Sequence, residues 1–343
     1  MSASPSRPTL ATVAASAGVS VATVSKVLNG RADVSPTTRA RVKDLLRTHD
    51  YAAHLVGLER HPTIELTFQG NIGAYSAEVI QGVSGAAAEL GVAVTVSVRA
   101  RGQRPSSHPS ATQWARHLAA TGRQAVIAVA GELTREEIAA LRRVRLPLVV
   151  IDPVNMPPSE VTSVGSTNFS GGLTATRHLL ELGHQRIAFL SGPVAAECNQ
   201  ARLQGFRGAL EAAAVVVPDE YVHVADGFSY EEGVVGGAYL LDLPTRPTAI
   251  FAANDELAAG IVESARVRGI RVPAELSIIG FDDTEIARLA SPPLTTIRQP
   301  LQDMGAVAVR TALRLVAGEK VDSRHVELAT ELVVRYSTAP PQL

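Results

Sequence analysis

The sequence holds a single cysteine, Cys198, in 343 residues. One thiol cannot form an internal disulfide, so no disulfide framework supports the fold, and the scarcity suits a reducing compartment. No stretch reaches the ~18 uninterrupted apolar residues that a membrane helix needs. The Ala- and Val-rich run from Leu10 to Val24, with Arg7 before it, invites comparison with an export signal. Ser and Thr interrupt it, however, and its apolar residues recur at helical spacing: Leu10, Val13, Ala14 and Ala17, then Val24, Val27 and Leu28. The run reads as folded helix, and the chain is expected in the cytoplasm. Catalytic signatures are also missing. There is no Gly-x-Ser-x-Gly elbow, phosphate loop, Gly-x-Gly-x-x-Gly or metal-spaced Cys/His set, and His178 and His184 form none. No enzymatic activity, cofactor or metal is expected.

What is present is a foldable mixture, 46% apolar and 19% charged, within the globular range. At this length one core does not suffice, so two or three structural units are expected. Charge is distributed unevenly. Residues 1–62 carry eight Lys or Arg against four acids, a balance of +4, whereas the remainder carries 24 bases and 29 acids, a balance of −5. A small basic head on a larger acidic body suits a polyanionic partner for the head. Solvated helix faces can carry similar charge, so the local pattern has to decide.

That pattern is sharp. Thr9 can cap a helix running to about Ala17. Gly18-Val19-Ser20 then makes a turn in which Gly18 takes a positive φ and Ser20 caps the next helix. The second helix runs from Val21 to about Leu28 and stops at Asn29-Gly30. Ser35-Pro36 opens a third, with Ser35 as cap and Pro36 in the first helical position. Arg39, Arg41, Lys43 and Arg47 decorate it, while Val42, Leu45 and Leu46 can face a core. Two short helices joined by a Gly-containing turn make a helix-turn-helix. If the second helix enters a major groove, its first turn (Val21, Ala22, Thr23) meets base edges, and small apolar groups there suit thymine methyls. Thr23 or Ser25 can reach a phosphate, and Lys26 a base edge or a phosphate. By spacing alone, a three-helix bundle without a ligand stays open.

The run from Leu10 to Gly30 (LATVAASAGVSVATVSKVLNG), followed by Val34-Ser35-Pro36 and Thr38-Arg39, resembles the DNA-binding head of the lactose-repressor (LacI/GalR) family over nearly fifty residues, through Asp50-Tyr51. The resemblance implies that Val21, Ala22 and Lys26 read bases and that Thr23, Ser25 and Asn29 lie near the DNA backbone; Thr9 and Ser20, the caps read from the pattern above, are expected among the DNA-binding residues. Family members usually follow the tyrosine with an Asn-x-x-Ala-x-x-Leu hinge helix whose leucine wedges into a minor-groove step. Here Ala52 to Pro62 departs from that pattern and is about two residues short. Leu58 is the expected wedge, with Leu55 second. Gly57 weakens an isolated helix by ~1 kcal/mol relative to Ala, so a flexible linker stays open as the other reading.

From Thr63 onward, short apolar runs alternate with helical stretches, beginning with the strand Ile64–Phe68 and the helix Ala77–Leu90 and continuing to the strand Ser277–Gly280. Such alternation means parallel sheets with helices on both faces, and two cycles mean two Rossmann-like lobes with a ligand cleft outside the strand ends. Polar residues stand there: Asp152, Asn254-Asp255 and Asp282-Asp283, with Arg202 as a fork of donors and Phe228 or Tyr75 as an apolar plate. Together they suit a sugar, although any one strand-end Asp or Asn can simply cap a helix.

The family resemblance continues through Leu182–Ala188, Ala253-Asn254-Asp255, Arg271-Val272-Pro273, Ile279–Asp283, Ser291–Gln299 and Glu327–Arg335. It implies an N-terminal all-α helix-turn-helix head (1–52), a hinge or linker (53–62) and a periplasmic-binding-protein-like α/β body of two Rossmann-like lobes (63–343). Lobe one is expected at about 63–163 and 298–326, and lobe two at about 164–297 and 327–338. Carried over residue by residue, the pocket comprises Arg101, Asp152, Cys198, Arg202, Phe228, Asn254, Asp282 and Gln299, beside Tyr75 from the pattern above. Pro300 and Leu301 imply an apolar last wall. The implied protein is a homodimeric repressor on a pseudo-palindromic double-stranded DNA operator, controlled by a small effector, with a mono- or oligosaccharide expected. A purine or other corepressor, activation instead of repression, and a sugar-binding protein without a DNA role are the alternatives.

Overall fold

The computed structural model describes residues 10–28, 31, 33–48, 62–70, 72–99, 110–131, 133–154 and 158–342. The chain divides into two compact units, Met1–Pro62 and Thr63–Leu343. Expectations placed on Thr9, Asn29, Leu55, Leu58 and Arg101 lie outside the described residues.

The first unit contains α1 (Leu10–Ala17), α2 (Val21–Leu28) and α3 (Pro36–Thr48). Between α1 and α2 the axis turns by 99°, within the usual range for a helix-turn-helix. Gly18 supplies the turn, with φ +62°, and Val19 N–H closes it on Ala14 O at 3.0 Å. Ser20 Oγ accepts from Thr23 N–H at 3.1 Å, and Ser35 Oγ accepts from Thr38 N–H at 3.2 Å. Both caps satisfy a backbone donor that a helix start otherwise leaves free. Val13, Ala14, Ala17, Val24, Val27, Val34, Val42 and Leu46 form one buried core.

The second unit holds two six-stranded sheets. Their strands, in chain order, are β1 (Thr63–Gln69), β2 (Ala93–Arg99), β3 (Arg123–Val129), β4 (Leu148–Ile151), β5 (Thr162–Ser166), β6 (Ile187–Ser191), β7 (Val222–Val224), β8 (Ala249–Ala252), β9 (Ser277–Asp282), β10 (Thr295–Arg298), β11 (His325–Leu328) and β12 (Glu331–Val333). The helices are α4 (Ala74–Glu89), α5 (Ala111–Ala120), α6 (Arg135–Arg143), α7 (Asn168–Glu181), α8 (Glu197–Ala212), α9 (Tyr230–Leu241), α10 (Asp255–Val267), α11 (Glu285–Leu289) and α12 (Leu301–Val316). The first sheet has the order β11-β5-β4-β3-β1-β2, the second β12-β10-β9-β8-β6-β7. Every pairing is parallel except β10 with β12. Parallel strands need crossover helices, which explains near-continuous apolar strands such as Ile187–Ser191, buried throughout.

The chain crosses between lobes at Thr167, at Gln299-Pro300 and at Ala329-Thr330. These crossings are tied together. Thr167 N–H donates to Leu328 O at 2.9 Å, Thr330 N–H donates to Thr167 Oγ1 at 3.0 Å, and Ser166 Oγ donates to Gln299 Oε1 at 2.5 Å. His178 and His184 serve the frame. His184 bonds Thr248, Ser277 and the Ala339 carbonyl, and His178 bonds Thr338, so both fasten the final segment to lobe two.

Candidate functional site

On the head, α2 divides cleanly. Val24 and Val27 are buried, whereas Val21, Ala22 and Lys26 are exposed and Thr23 and Ser25 half-buried. Val21 leaves 47% of its surface in solvent at the start of the helix, a poor position for an apolar side chain unless something covers it. Ser20 Oγ, besides capping, lies 2.9 Å from Thr23 Oγ1. Lys26 Nζ meets Asp33 Oδ2 at 2.7 Å, and this pairing holds the Asp33 carboxyl below the usual carboxylate range.

In the body, a cavity of about 680 Å³ opens between the lobes at the carboxyl ends of the strands. Tyr75, Asp152, Cys198, Arg202, Phe228, Asn254 and Asp282 all line it. Asp152 follows β4 and Asp282 ends β9, both with positive φ (44° and 109°), a backbone turn that costs energy for a residue with a side chain. Tyr75 donates its hydroxyl to Asp152 Oδ2 at 2.6 Å. Burial pushes the Asp152 carboxyl upward and, with the adjacent Asp152 charge, holds the Tyr75 hydroxyl well above its ordinary range.

Arg202, on the inward face of α8, is buried and committed on several sides. Its Nε donates to Asn168 Oδ1 at 2.8 Å, its Nη1 to the Ala253 carbonyl at 2.6 Å, and its Nη2 lies 3.6 Å from Asp282 Oδ1. Its guanidinium stacks 3.8 Å from the Phe281 ring centroid. Burial nevertheless outweighs that pairing and pushes the Asp282 carboxyl up to about 7. Cys198 stands one turn before Arg202, and burial pushes its thiol up to about 11. Asn254 caps α10 by accepting from Leu257 N–H at 2.9 Å and donates to the Phe228 carbonyl at 3.0 Å. Its amide thus sets the loop that presents Phe228, whose ring closes over Gly192 so tightly that a Cβ there would lie 2.2 Å from it.

Two expectations need correction. Gln299 does not line this cavity. It sits behind the wall, donating from Nε2 to Asp282 Oδ1 at 2.6 Å while accepting from Ser166. The apolar wall expected from Pro300 and Leu301 is absent too. Both line a separate cavity of about 300 Å³, and Leu301 is buried in the lobe-one core. Both residues begin α12, which turns them back into lobe one. Three carboxylates that sequence reasoning passed over, Asp226, Glu231 and Glu256, do line the cleft. Glu256 reaches across it: Ala74 N–H in lobe one donates to its Oε1 at 3.3 Å. In sequence, a Glu in a helix's first turn looks like ordinary complement to the helix dipole, which concealed its position at the cleft.

With this geometry in place, similarity to known proteins is informative. Residues 9–53 match the family described as "Bacterial regulatory proteins, lacI family", and residues 176–338 match the "Periplasmic binding protein-like domain". The HTH-type transcriptional regulator DegA of Bacillus subtilis is 35% identical over 342 residues, covering 97% of this chain and 99% of DegA. The chain belongs to the LacI family. It is a DNA-binding transcriptional regulator, and its relatives are transcriptional regulators, not enzymes. Among solved LacI-family structures, the transcriptional regulator CelR–cellobiose complex superposes with a TM-score of 0.72 at 31% identity, covering 96% of this chain and all of that one. The lac repressor dimer bound to operator and the anti-inducer ONPF superposes with a TM-score of 0.76 at 27% identity, covering 96% and 99%. As a LacI-family member the chain combines the helix-turn-helix of α1 and α2 with a two-lobed body. Among its described residues no single helix is long and apolar enough to cross a membrane.

Proposed function

We propose that this LacI-family regulator represses transcription from a pseudo-palindromic operator as a homodimer, and that a mono- or oligosaccharide in the interlobe cleft controls its DNA affinity. The observation that carries the reading is the cavity of about 680 Å³, where carboxylates at strand ends, a guanidinium and the Phe228 ring converge. Carboxylates accept hydrogen bonds from sugar hydroxyls, a guanidinium donates them, and a ring covers the apolar face of a pyranose. The similarity to a regulator solved with cellobiose supports the same class. On the DNA side, Val21, Ala22 and Lys26 read bases while Thr23 and Ser25 contact the backbone. Leu58 wedges the central step, and Thr9 and Asn29 complete the set.

The first test is thermal unfolding of the full chain against mono- and disaccharides, with purines and amino acids as controls. A ligand present at ~100 times its dissociation constant adds ~2.7 kcal/mol to the stability of the domain it binds. A shift with a sugar supports the reading. A shift with a purine alone transfers the protein to the purine-corepressor reading. No shift with any compound removes the ligand assignment and leaves the DNA-binding assignment intact.

A further inference from the structure

The charge of the cleft is one-sided. Five carboxylates line it (Asp152, Asp226, Glu231, Glu256 and Asp282) against one guanidinium. The charge of that guanidinium is already largely answered, because Arg202 donates to Asn168 and to the Ala253 carbonyl and faces Asp282, leaving N–H groups for a neutral hydroxyl but little net attraction for an anion. Helix N-termini are the usual alternative anion receptors, and four of them border the cavity. Each already has a carboxylate. Glu197 lies in the first turn of α8, Glu231 and Glu232 in that of α9, and Asp255 and Glu256 in that of α10. The start of α4 has no side-chain cap of its own and takes the Glu256 carboxylate from the opposite lobe. Asp152 is 6% exposed and has Tyr75 as its hydrogen-bond donor, without a cation in ion-pair contact among the described residues. An incoming phosphate or carboxylate would therefore meet a lining with more carboxylates than cations in a partly desolvated space, where like-charge repulsion is least screened.

We propose that the cleft selects its ligand by charge, admitting neutral or amine-bearing polyols and rejecting those that carry phosphate or carboxylate, with Asp152 and Glu256 as the specificity-determining groups. This rests on the saccharide reading above and narrows it. It also places the effector in a reaction sequence. The ligand would be supplied by hydrolysis of a larger glycoside, with water taking up the cleaved bond, or by uptake without modification, and would be removed by phosphoryl transfer from a nucleoside triphosphate or other phosphoryl donor, which turns it into an anion that the cleft rejects.

The single cysteine permits a test that needs no effector. Cys198 lines the cleft and is partly accessible, and no other thiol competes with it. Its modification rate is measured with cationic, neutral and anionic methanethiosulfonates of similar size, each normalised to its rate with a free small thiol. The expected order is cationic, neutral, anionic, with at least a tenfold span at low salt that shrinks when Asp152→Asn and Glu256→Gln are combined. Equal normalised rates, or a faster anionic reagent, would overturn the proposal. In parallel, full-length protein is scanned by thermal shift with glucose, glucosamine, gluconate and glucose 6-phosphate, and with cellobiose, its diamino counterpart and cellobionic acid. A shift with a neutral or amino member and none with its anionic counterpart supports charge selection. A shift with an anionic member defeats it while leaving the saccharide reading standing. A shift with none of them counts against the saccharide reading, and the thiol rates then decide the charge claim alone.

Discussion

In each strand-end doublet the first side chain faces the cavity and the second holds the frame. Asn254 and Asp282 line the cleft. Asp255 instead accepts from Thr296 Oγ1 at 2.6 Å and Thr284 N–H at 2.8 Å, and Asp283 pairs with Arg298 at 2.7 Å and Arg335 at 2.6 Å. Strand-end position and residue type were visible in the sequence, but this division of labour was not: at the second doublet it depends on the positive φ at Asp282 and Asp283, and at the first on Asn254 standing as the extended cap of α10. Asp282→Asn keeps the volume and the bond from Gln299 but removes a charged acceptor. Effector affinity is expected to fall by ~10- to 150-fold, the range for a hydrogen bond to a charged group, while DNA affinity without effector stays unchanged in an anisotropy titration. The pH dependence has a definite sign. Burial raises the Asp282 carboxyl from the ordinary 3.8 to about 7, so between those values the folded body holds a proton that the unfolded chain lacks. The stability this contributes is present at low pH and is lost as pH rises through about 7. Hydroxyls donating to the ionised carboxylate have the opposite preference, so effector binding just below pH 7 is expected to release a proton and to weaken as pH falls. Calorimetry in two buffers of different ionisation enthalpy measures that proton, and proton uptake would contradict the assignment. On the head, Asp33→Asn frees Lys26 from its ion pair, and tighter nonspecific DNA binding with a steeper salt dependence is expected.

The helices of the body pack in close pairs. Gly172 and Gly205 let α7 and α8 approach backbone to backbone, and a Cβ on Gly205 would lie 2.2 Å from the Phe169 carbonyl oxygen. Gly85 on α4 has open space around its Cβ position. Gly205→Ala is therefore expected to destabilise the body by about 1–3 kcal/mol or more through overpacking, and Gly85→Ala to stabilise it by ~0.5–1 kcal/mol through helix propensity. Denaturant melts of the two variants check this, and equal shifts would mean that the packing has been misjudged. Element recognition in the sequence succeeded where period and punctuation agreed, as in α1 and α2 with Gly18 and Ser20, or β8 with four buried apolar residues. It missed the three-residue β7, too short to show a period, and β5, β10, β11 and β12, whose Thr-, Ser- and Glu-rich segments become strands because they pair with an existing sheet edge or crossing, not because of their own pattern. It also passed over α12, although Leu301, Met304, Gly305, Ala308, Val309 and Ala312 follow helical spacing and are buried.

Across the whole molecule, function follows from joining a basic helix-turn-helix to an acidic two-lobed binder. Three tied crossings are the kind of connection about which two lobes can move as bodies, and a ligand that prefers one arrangement shifts the population toward it by no more than its difference in affinity. Effector control of transcription requires that this shift reach the DNA. The direct measurement is titration of the full-length protein on a palindromic duplex selected from random sequence, with and without saturating effector from the thermal screen. A change in dissociation constant of ~5- to 150-fold is expected, the usual span of allosteric coupling, and it should need a ~10- to 150-fold higher effector concentration in Asp282→Asn. Identical affinity with the cleft demonstrably filled would contradict it, leaving a DNA-binding protein and a sugar-binding body in one chain with no coupling between them.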